Sequence, residues 1–136
     1  MTTDKREVLL IGPLKPVVVK GLDAICTVHR IAAAQDRDAF IAAHSNVRAI
    51  ACSDTRELIP GDLMARFQNL EIVSSFGVGY DHMDVKWAAT HGVVVTNTPE
   101  VLTEEVADTA LGLLLCTVRE FPQAERHLRA GKWPKG

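Results

Sequence analysis

Short apolar runs alternate with amphipathic segments from the N-terminus to Pro99. The runs predict strands and the segments between them predict helices, because each run is short and is followed by Gly, Pro, Ser or Asn. Several runs are apolar at every position, which indicates strands buried on both faces of a parallel sheet. The sequence therefore predicts an α/β fold: a flavodoxin-like parallel sheet with helices on both faces. The predicted strands are 8–11, 25–31, 47–52, 70–76 and 93–95, and the predicted helices are 16–24, 36–44, 61–67 and 84–91.

The last third of the chain breaks this alternation. A long helix is predicted from Thr103, with Thr103 as its N-cap and Glu104 and Glu105 in the first turn, where the helix dipole favours acids. The apolar residues of this helix occupy most of its circumference, which is typical of a helix buried between two layers. Pro122 is predicted to open a second helix. No later strand covers the long helix, so we expect the isolated chain to self-associate or to have a disordered C-terminal third.

Composition narrows the class of protein. The 136 residues are 47% hydrophobic and 24% charged, as in an ordinary globular domain, which excludes a disordered or fibrous chain. The net charge of −2, with no basic stripe, argues against nucleic-acid binding. Three distant cysteines predict neither a disulfide framework nor a zinc site and fit a reducing cytoplasm. The polar start of the chain is unlike a signal peptide, and no apolar run is long enough to span a membrane.

The sharpest local feature is the glycine loop around Gly77 and Gly79, directly after the fourth predicted strand. Ligands of open α/β sheets bind outside the carboxyl ends of strands, and two glycines allow successive N–H groups to form an anion-binding nest. The alternative is a plain turn that needs positive φ. The dinucleotide fingerprint GxGxxG is excluded because His82 stands at the third glycine position. Ser53, Asp54 and Thr55 follow the neighbouring strand and either add polar contacts to the same ligand or form an Asx turn.

Other candidate residues carry weaker signals. The five histidines have no metal-ligand spacing, and we interpret them as surface or structural residues. The segment Asn97-Thr98-Pro99 and the helix start at Thr103 either face a cofactor or form a loop and a capped helix, and the sequence alone favours the loop. Neither a Walker A sequence nor a GxSxG elbow occurs.

Three blocks in order give the chain a family resemblance. LEIVSSFGVGYD (70–81), HGVVVTNTP (91–99) and VLTEEVAD (101–108), with LRAGKW (128–133) after them, resemble the D-2-hydroxyacid dehydrogenases. Within that family the chain is most similar to the glyoxylate/hydroxypyruvate and hydroxyphenylpyruvate reductases. The resemblance implies an oxidoreductase that reduces a small 2-oxo acid to the D-2-hydroxy acid with NAD(P)H, NADP being slightly favoured over NAD.

The resemblance also implies which parts of the chain belong to which domain and which residues bind the substrate and the cofactor. Residues 1–100 would form the first part of the substrate-binding domain, and residues 101–136 the interdomain helix and the start of the dinucleotide-binding domain. The segment 131–133 would lie at or near a homodimer contact in the complete protein. The implied substrate-binding residues are Val78 and Gly79 through their N–H groups, with Gly77, Cys52 and Ser53, and the implied cofactor-binding residues are Leu102, Thr103 and Val106.

One part of the family pattern does not map onto these residues. Family members use an Arg, a His–Glu acid/base pair and a GxGxxG fingerprint that lie later in their chains, so we expect this chain alone to be inactive. Two alternatives stay open: a non-catalytic flavodoxin-like signalling module and a dinucleotide-sensing regulator. The signalling module would use Asp54, but Gly12-Pro13 and Asn97-Thr98-Pro99 stand where its other functional residues belong.

Overall fold

The computed structural model describes residues 5–53 and 57–133. Five parallel strands form one sheet in the order β2-β1-β3-β4-β5. This confirms the predicted α/β parallel sheet. The strands are β1 (Glu7–Ile11), β2 (Thr27–Arg30), β3 (Ala49–Ser53), β4 (Ile72–Phe76) and β5 (Val94–Thr96). The helices are α1 (Pro16–Ile25), α2 (Arg37–Ala43), α3 (Gly61–Met64), α4 (Val85–Thr90), α5 (Thr103–Val118) and α6 (Phe121–Arg129).

The chain divides into two compact units, Met1–Pro99 and Glu100–Gly136. The first unit contains the sheet and helices α1 to α4. The second contains α5 and α6, whose large apolar side chains are exposed, Leu113 by 64% and Phe121 by 51%. No helix within the described ranges is long and apolar enough to cross a membrane.

The core of the first unit lies on one face of the sheet. Leu9, Ile50 and Val73 project from the three central strands and are completely or almost completely buried. Residues of α2, α3 and α4 pack against them, Ile41 and Met64 being fully buried. Each such aliphatic side chain contributes about 1.5–3 kcal/mol through removal from water, so this face holds the sheet together.

The opposite face of the sheet is covered only in part. Leu10 of β1 is buried there, whereas Ser74 and Phe76 of β4 and Val94 of β5 are exposed. Within the described chain, β4 and β5 are therefore not buried on both faces. In β4, buried Val73 and Ser75 alternate with exposed Ser74 and Phe76, and in β5 half-buried Val95 lies between exposed neighbours.

Local signals placed most helix ends correctly. The Asp36 carboxylate accepts hydrogen bonds from two N–H groups of the first turn of α2, and Asp84 does the same for the N–H of Trp87 in α4. Gly92 follows α4 with φ +72°, as predicted for a glycine at C′. The prediction of Thr103 as N-cap is wrong. Leu102 occupies that position without a side-chain hydrogen bond, and Thr103 is already helical.

The second predicted strand and the third predicted helix are shorter in the structure. The strand predicted over 25–31 spans Thr27–Arg30, because Ile25 still belongs to α1 and Ile31 begins a 3-10 turn. The helix predicted over 61–67 ends at Met64. In both places the apolar residues beyond the element, Ile31 and Phe67, are buried. Their hydrophobicity reflects packing of the turn and not continuation of the element.

Gly61 supplies a test of this packing. A Cβ at this buried position would lie 2.5 Å from two ring carbons of Trp87, so Gly61→Ala must displace the indole. We expect it to lower the free energy of unfolding by about 1–3 kcal/mol, measured by urea titration. The matched control is Gly21→Ala in α1, where a Cβ meets nothing within 4 Å and alanine should stabilise the helix by about 0.5–1 kcal/mol. Equal effects of the two substitutions would contradict this packing.

Candidate functional site

The carboxyl ends of β3 and β4 lie side by side at one edge of the sheet. Ser53, the last residue of β3, is in register with Phe76, the last residue of β4. The structure therefore brings Cys52 and Ser53 next to the start of the glycine loop, as the parallel sheet predicts. The Ser53 hydroxyl donates a 2.7 Å hydrogen bond to the Pro13 carbonyl, which ties in the loop after β1. Asp54 and Thr55 lie outside the described residues.

The glycine loop has a different backbone from the one predicted. Positive φ angles occur at Gly12, Gly92 and Gly131 among the described glycines, and neither Gly77 nor Gly79 shares them. The alternative of a plain turn that needs positive φ is therefore wrong for this loop. The loop takes its shape from ordinary backbone conformations, so the reason for glycine must lie elsewhere.

Open space around Gly79 offers that reason. A Cβ at Gly79 would have one neighbour within 4 Å, the Asp81 carboxylate at 4.0 Å, so packing within the described chain does not require glycine either. The N–H groups of Val78 and Gly79 have no hydrogen-bond acceptor among the described residues. Unpaired backbone donors next to open space at the carboxyl edge of a sheet suit an anionic ligand, which a side chain at Gly79 would obstruct.

The end of β5 holds the loop from one side. The Asn97 side-chain amide donates a 2.8 Å hydrogen bond to the Val78 carbonyl, and the Thr98 N–H donates a 2.9 Å bond to the Gly77 carbonyl. Sequence reasoning treated Asn97 and Thr98 as a plain loop. Their role follows from β5 lying beside β4, which the order of strands along the chain does not show.

A second contact holds the loop at its other end. The N–H of Ile59 donates a 2.7 Å hydrogen bond to the His82 carbonyl. The His82 ring reaches back to β4 and β3, with Nε2 3.4 Å from the Ser75 hydroxyl and 3.9 Å from the Cys52 sulfur. His82 thus joins the candidate site, although the sequence suggested only a surface or structural histidine. The sequence signal that could have identified His82 was its position three residues after Gly79 of the glycine loop.

Cys52 is buried at the centre of this contact. Its sulfur lies 3.6 Å from the Ser74 carbonyl, and burial raises the pKa of the thiol, which a hydrogen bond with Ser75 offsets in part. The thiol is therefore protonated near neutral pH. It can donate a weak hydrogen bond and line a pocket, but it is a poor nucleophile.

Apolar space adjoins the loop on its β5 side. A cavity of about 340 Å³ lies there, and Tyr80 and Asn97 are the two residues of its lining that carry polar groups. The rest of its lining is aliphatic: Val85, Ala89, Val93 and Val95.

The predicted cofactor-binding residues lie in the second unit. Leu102 precedes α5, and its carbonyl accepts a 3.0 Å hydrogen bond from the N–H of Val106 one turn later. Leu102 and Val106 are exposed by 53% and 63%. These two exposed apolar side chains, four residues apart, lie on the same side of the start of α5. Thr103 lies between them in the first turn.

Three other histidines of the described chain, His29, His44 and His91, lie in ring contacts away from this loop. His29 stacks on His44 at 3.8 Å, and His91 stacks on Trp87 at 3.9 Å. No group of three metal-ligating side chains occurs within residues 5–53 and 57–133.

Comparison with known proteins identifies the family. The sequence profile of the D-isomer specific 2-hydroxyacid dehydrogenases, catalytic domain, matches residues 8–127. The chain belongs to this family. The match bears out the resemblance carried by the three sequence blocks, and it argues against the signalling-module alternative.

Individual relatives agree with this assignment. The chain is 34% identical over 129 residues to glyoxylate/hydroxypyruvate reductase A of Arabidopsis thaliana, covering 95% of this chain and 41% of the relative. Among solved structures it resembles 2-hydroxyacid dehydrogenase of Ketogulonicigenium vulgare, with a TM-score of 0.79, 39% identity and coverage of 96% and 41%.

An NADPH-dependent glyoxylate/hydroxypyruvate reductase of Sinorhizobium meliloti is also similar. Its complex with citrate gives a TM-score of 0.73 at 44% identity, covering 98% of this chain and 41% of that one. Its complex with NADP and malonate gives a TM-score of 0.70, covering 97% and 40%. The chain thus spans about two-fifths of the length of these relatives.

The raised pKa of Cys52 predicts a reactivity order. A higher pKa lowers the thiolate fraction at every pH below it, and burial restricts access. We expect iodoacetamide at pH 8 to modify Cys52 more slowly than the half-buried Cys26 and Cys116, as measured by peptide mass spectrometry over time. Unfolding in urea should abolish the difference. Cys52 reacting first in the folded chain would contradict the environment described for it.

Proposed function

We propose that this chain is the first part of the substrate-binding domain of an NAD(P)-dependent oxidoreductase. The enzyme would reduce a small 2-oxo acid, such as glyoxylate or hydroxypyruvate, to the D-2-hydroxy acid. One observation carries the proposal: in a chain of this family, the N–H groups of Val78 and Gly79 have no acceptor among the described residues, and a Cβ at Gly79 would meet open space. Two converging N–H donors suit a carboxylate, the group that all 2-oxo acids share.

The ligands of a similar protein support the same class of substrate. The Sinorhizobium meliloti reductase is described in complex with citrate and with malonate, both small polycarboxylates. Its name gives glyoxylate and hydroxypyruvate as substrates, and it is NADPH-dependent. At 44% identity this favours NADP over NAD for the present chain as well.

Each residue of the candidate site has a proposed task. The N–H groups of Val78 and Gly79 bind the substrate carboxylate, and Gly77 begins the loop that carries them. Cys52 and Ser53 line the pocket from the end of β3. Binding through the carboxylate orients the substrate and leaves its carbonyl carbon accessible. The protonated Cys52 thiol presents no competing charge to the anion.

Leu102, Thr103 and Val106 are proposed to contact the nicotinamide part of the cofactor. The exposed apolar side chains of Leu102 and Val106 fit the face of such a ring. A bound NAD(P)H would supply the hydride that reduces the carbonyl carbon. The chain contains no dinucleotide fingerprint, so we propose that a further segment binds the pyrophosphate.

The remaining catalytic groups are proposed to come from that further segment. It would supply the Arg that holds the substrate and the His–Glu pair that delivers the proton. Residues 1–100 then act as the first part of the substrate domain, and residues 101–136 as the interdomain helix and the start of the dinucleotide-binding domain. We further propose a homodimer with residues 131–133 near its contact, and a cytoplasmic location.

Activity assays test this proposal. We expect no oxidation of NADPH or NADH by the 136-residue chain with hydroxypyruvate or glyoxylate, because it holds no proton donor in the proposed role. We expect turnover, followed by nicotinamide absorbance, from the uninterrupted reading frame that contains this chain. Turnover by the chain alone at ordinary enzyme rates would refute the assignment of residues.

A substitution in the loop gives a sharper result. Gly79→Ala in the longer protein should raise the KM for hydroxypyruvate by about 10–100-fold, because the methyl group obstructs a charge-assisted contact. Thermal stability should change little, since a Cβ at Gly79 meets no close neighbour. The matched control is Gly21→Ala, which is remote and equally open. An unchanged KM in Gly79→Ala would argue against carboxylate binding by this loop.

A further inference from the structure

We propose that Asn97 is a positioning residue of the substrate site. Its side-chain amide fixes the peptide between Val78 and Gly79 and thereby aims the Gly79 N–H at the substrate carboxylate. This inference rests on the proposed function and adds a residue that lies outside the glycine loop. It follows from two hydrogen bonds that reach the loop from the end of β5.

The argument begins with peptide geometry. In a planar trans peptide, the carbonyl of one residue and the N–H of the next point to opposite sides. The described residues contain no cis peptide bond. Asn97 Nδ2 donates to the Val78 carbonyl at 2.8 Å, so this carbonyl faces Asn97. The N–H of Gly79 belongs to the same peptide plane and therefore points away from Asn97.

The preceding peptide is held in the same way. The N–H of Thr98 donates to the Gly77 carbonyl at 2.9 Å, which directs the N–H of Val78 away from Thr98. Two consecutive carbonyls are thus bound by two consecutive residues that follow β5. The two N–H groups behind them have no acceptor among the described residues. Both donors are left for a ligand.

The sheet order gives these donors a direction. β4 lies between β5 and β3, and the proposal places these donors, which point away from Asn97 and Thr98, on the side of β3. Cys52 and Ser53 lie on that side, in register with Ser75 and Phe76. The donors and the proposed pocket lining therefore face a common space at the carboxyl edge.

Asn97 and Thr98 use different donor groups for their hydrogen bonds to the loop. The Thr98 bond uses a backbone N–H, which any residue except proline would supply. The Asn97 bond uses a side-chain amide, so it depends on the residue type. Alanine would remove the donor, and aspartate would place an acceptor against the carbonyl oxygen.

Contacts other than that of Asn97 also hold the loop in its folded conformation. Its far end is held independently by the bond from Ile59 to the His82 carbonyl and by the His82 ring against Ser75. Loss of the Asn97 amide should therefore leave the fold intact and free one peptide plane to rotate. The expected consequence is a loss of ligand affinity and not of stability.

The test uses the longer protein that contains this chain and D-glycerate, the 2-hydroxy acid that corresponds to hydroxypyruvate. The dissociation constant is measured by saturation-transfer NMR, which suits weak ligands, and unfolding is followed in urea. We expect Asn97→Ala to weaken binding roughly three- to tenfold with an unchanged urea midpoint, since one neutral hydrogen bond is lost. Asn97→Asp, which keeps the size of the side chain, should weaken binding at least as much.

Asn69→Ala serves as the matched control. The Asn69 amide lies 3.5 Å from the Asn46 side-chain oxygen and precedes β4, at the opposite edge of the sheet. We expect the affinity of the Asn69→Ala variant for D-glycerate to equal that of the wild type. Equal weakening by Asn69→Ala and Asn97→Ala would overturn the proposal.

The outcomes separate this inference from the proposed function. Binding by the wild type with full affinity in Asn97→Ala overturns the positioning role and leaves the proposed function standing. Absence of binding by the wild-type protein overturns the loop as a carboxylate site, and the positioning role with it. If Asn97→Ala and Asn97→Asp both have a clearly lower urea midpoint of unfolding than the wild type, Asn97 has a structural role. The inference is then also overturned.

Discussion

The parallel pairing of β3, β4 and β5 is the constraint on which the candidate site depends. Because the strands run in one direction, everything that follows them collects at one edge of the sheet. The Ser53–Phe76 register brings the end of β3 to the start of the glycine loop. β5, on the other side of β4, brings Asn97 and Thr98 to the carbonyl side of that loop. A change in strand order would separate these groups without changing any of them.

Two glycines of similar appearance in the sequence have opposite explanations. Gly61 is required by packing, since the Trp87 ring occupies the space where its Cβ would be. Gly79 is required neither by backbone conformation nor by packing within the described chain. A backbone N–H group that has no acceptor costs free energy when it is buried inside a protein. At a binding surface the same group is available to a ligand. This contrast is the physical basis for assigning function to one glycine and structure to the other.

The fold was predictable because apolar runs and helix caps are local signals. Asp36, Asp84 and Gly92 each mark a helix end by their own chemistry: the two carboxylates accept N–H groups of the first turn, and Gly92 takes a positive φ after α4. The prediction of Thr103 as N-cap was wrong, because Leu102 is the N-cap of α5 and Thr103 is the first helical residue. The placement of Cys52 and Ser53 beside Gly77 was also predictable, given a parallel sheet.

The contacts of the site were less predictable, because they join residues distant in the chain. Asn97 lies 19 residues after Val78, and the residue type alone suggests a turn. His82 lies 30 residues after Cys52 and gave no sign of pairing with it. Neither contact follows from periodicity or composition. Each requires knowledge of which strands are neighbours and where each side chain points after its strand ends.

The central claim is that the N–H groups of Val78 and Gly79 bind a carboxylate. The most direct measurement is a residue-by-residue map of backbone amide shifts in the nitrogen-15-labelled chain as D-glycerate is added. The account predicts the largest saturable shifts at Val78 and Gly79, with smaller ones at Ser53. Unchanged Val78 and Gly79 amides, with shifts confined to other parts of the chain or absent altogether, would contradict it.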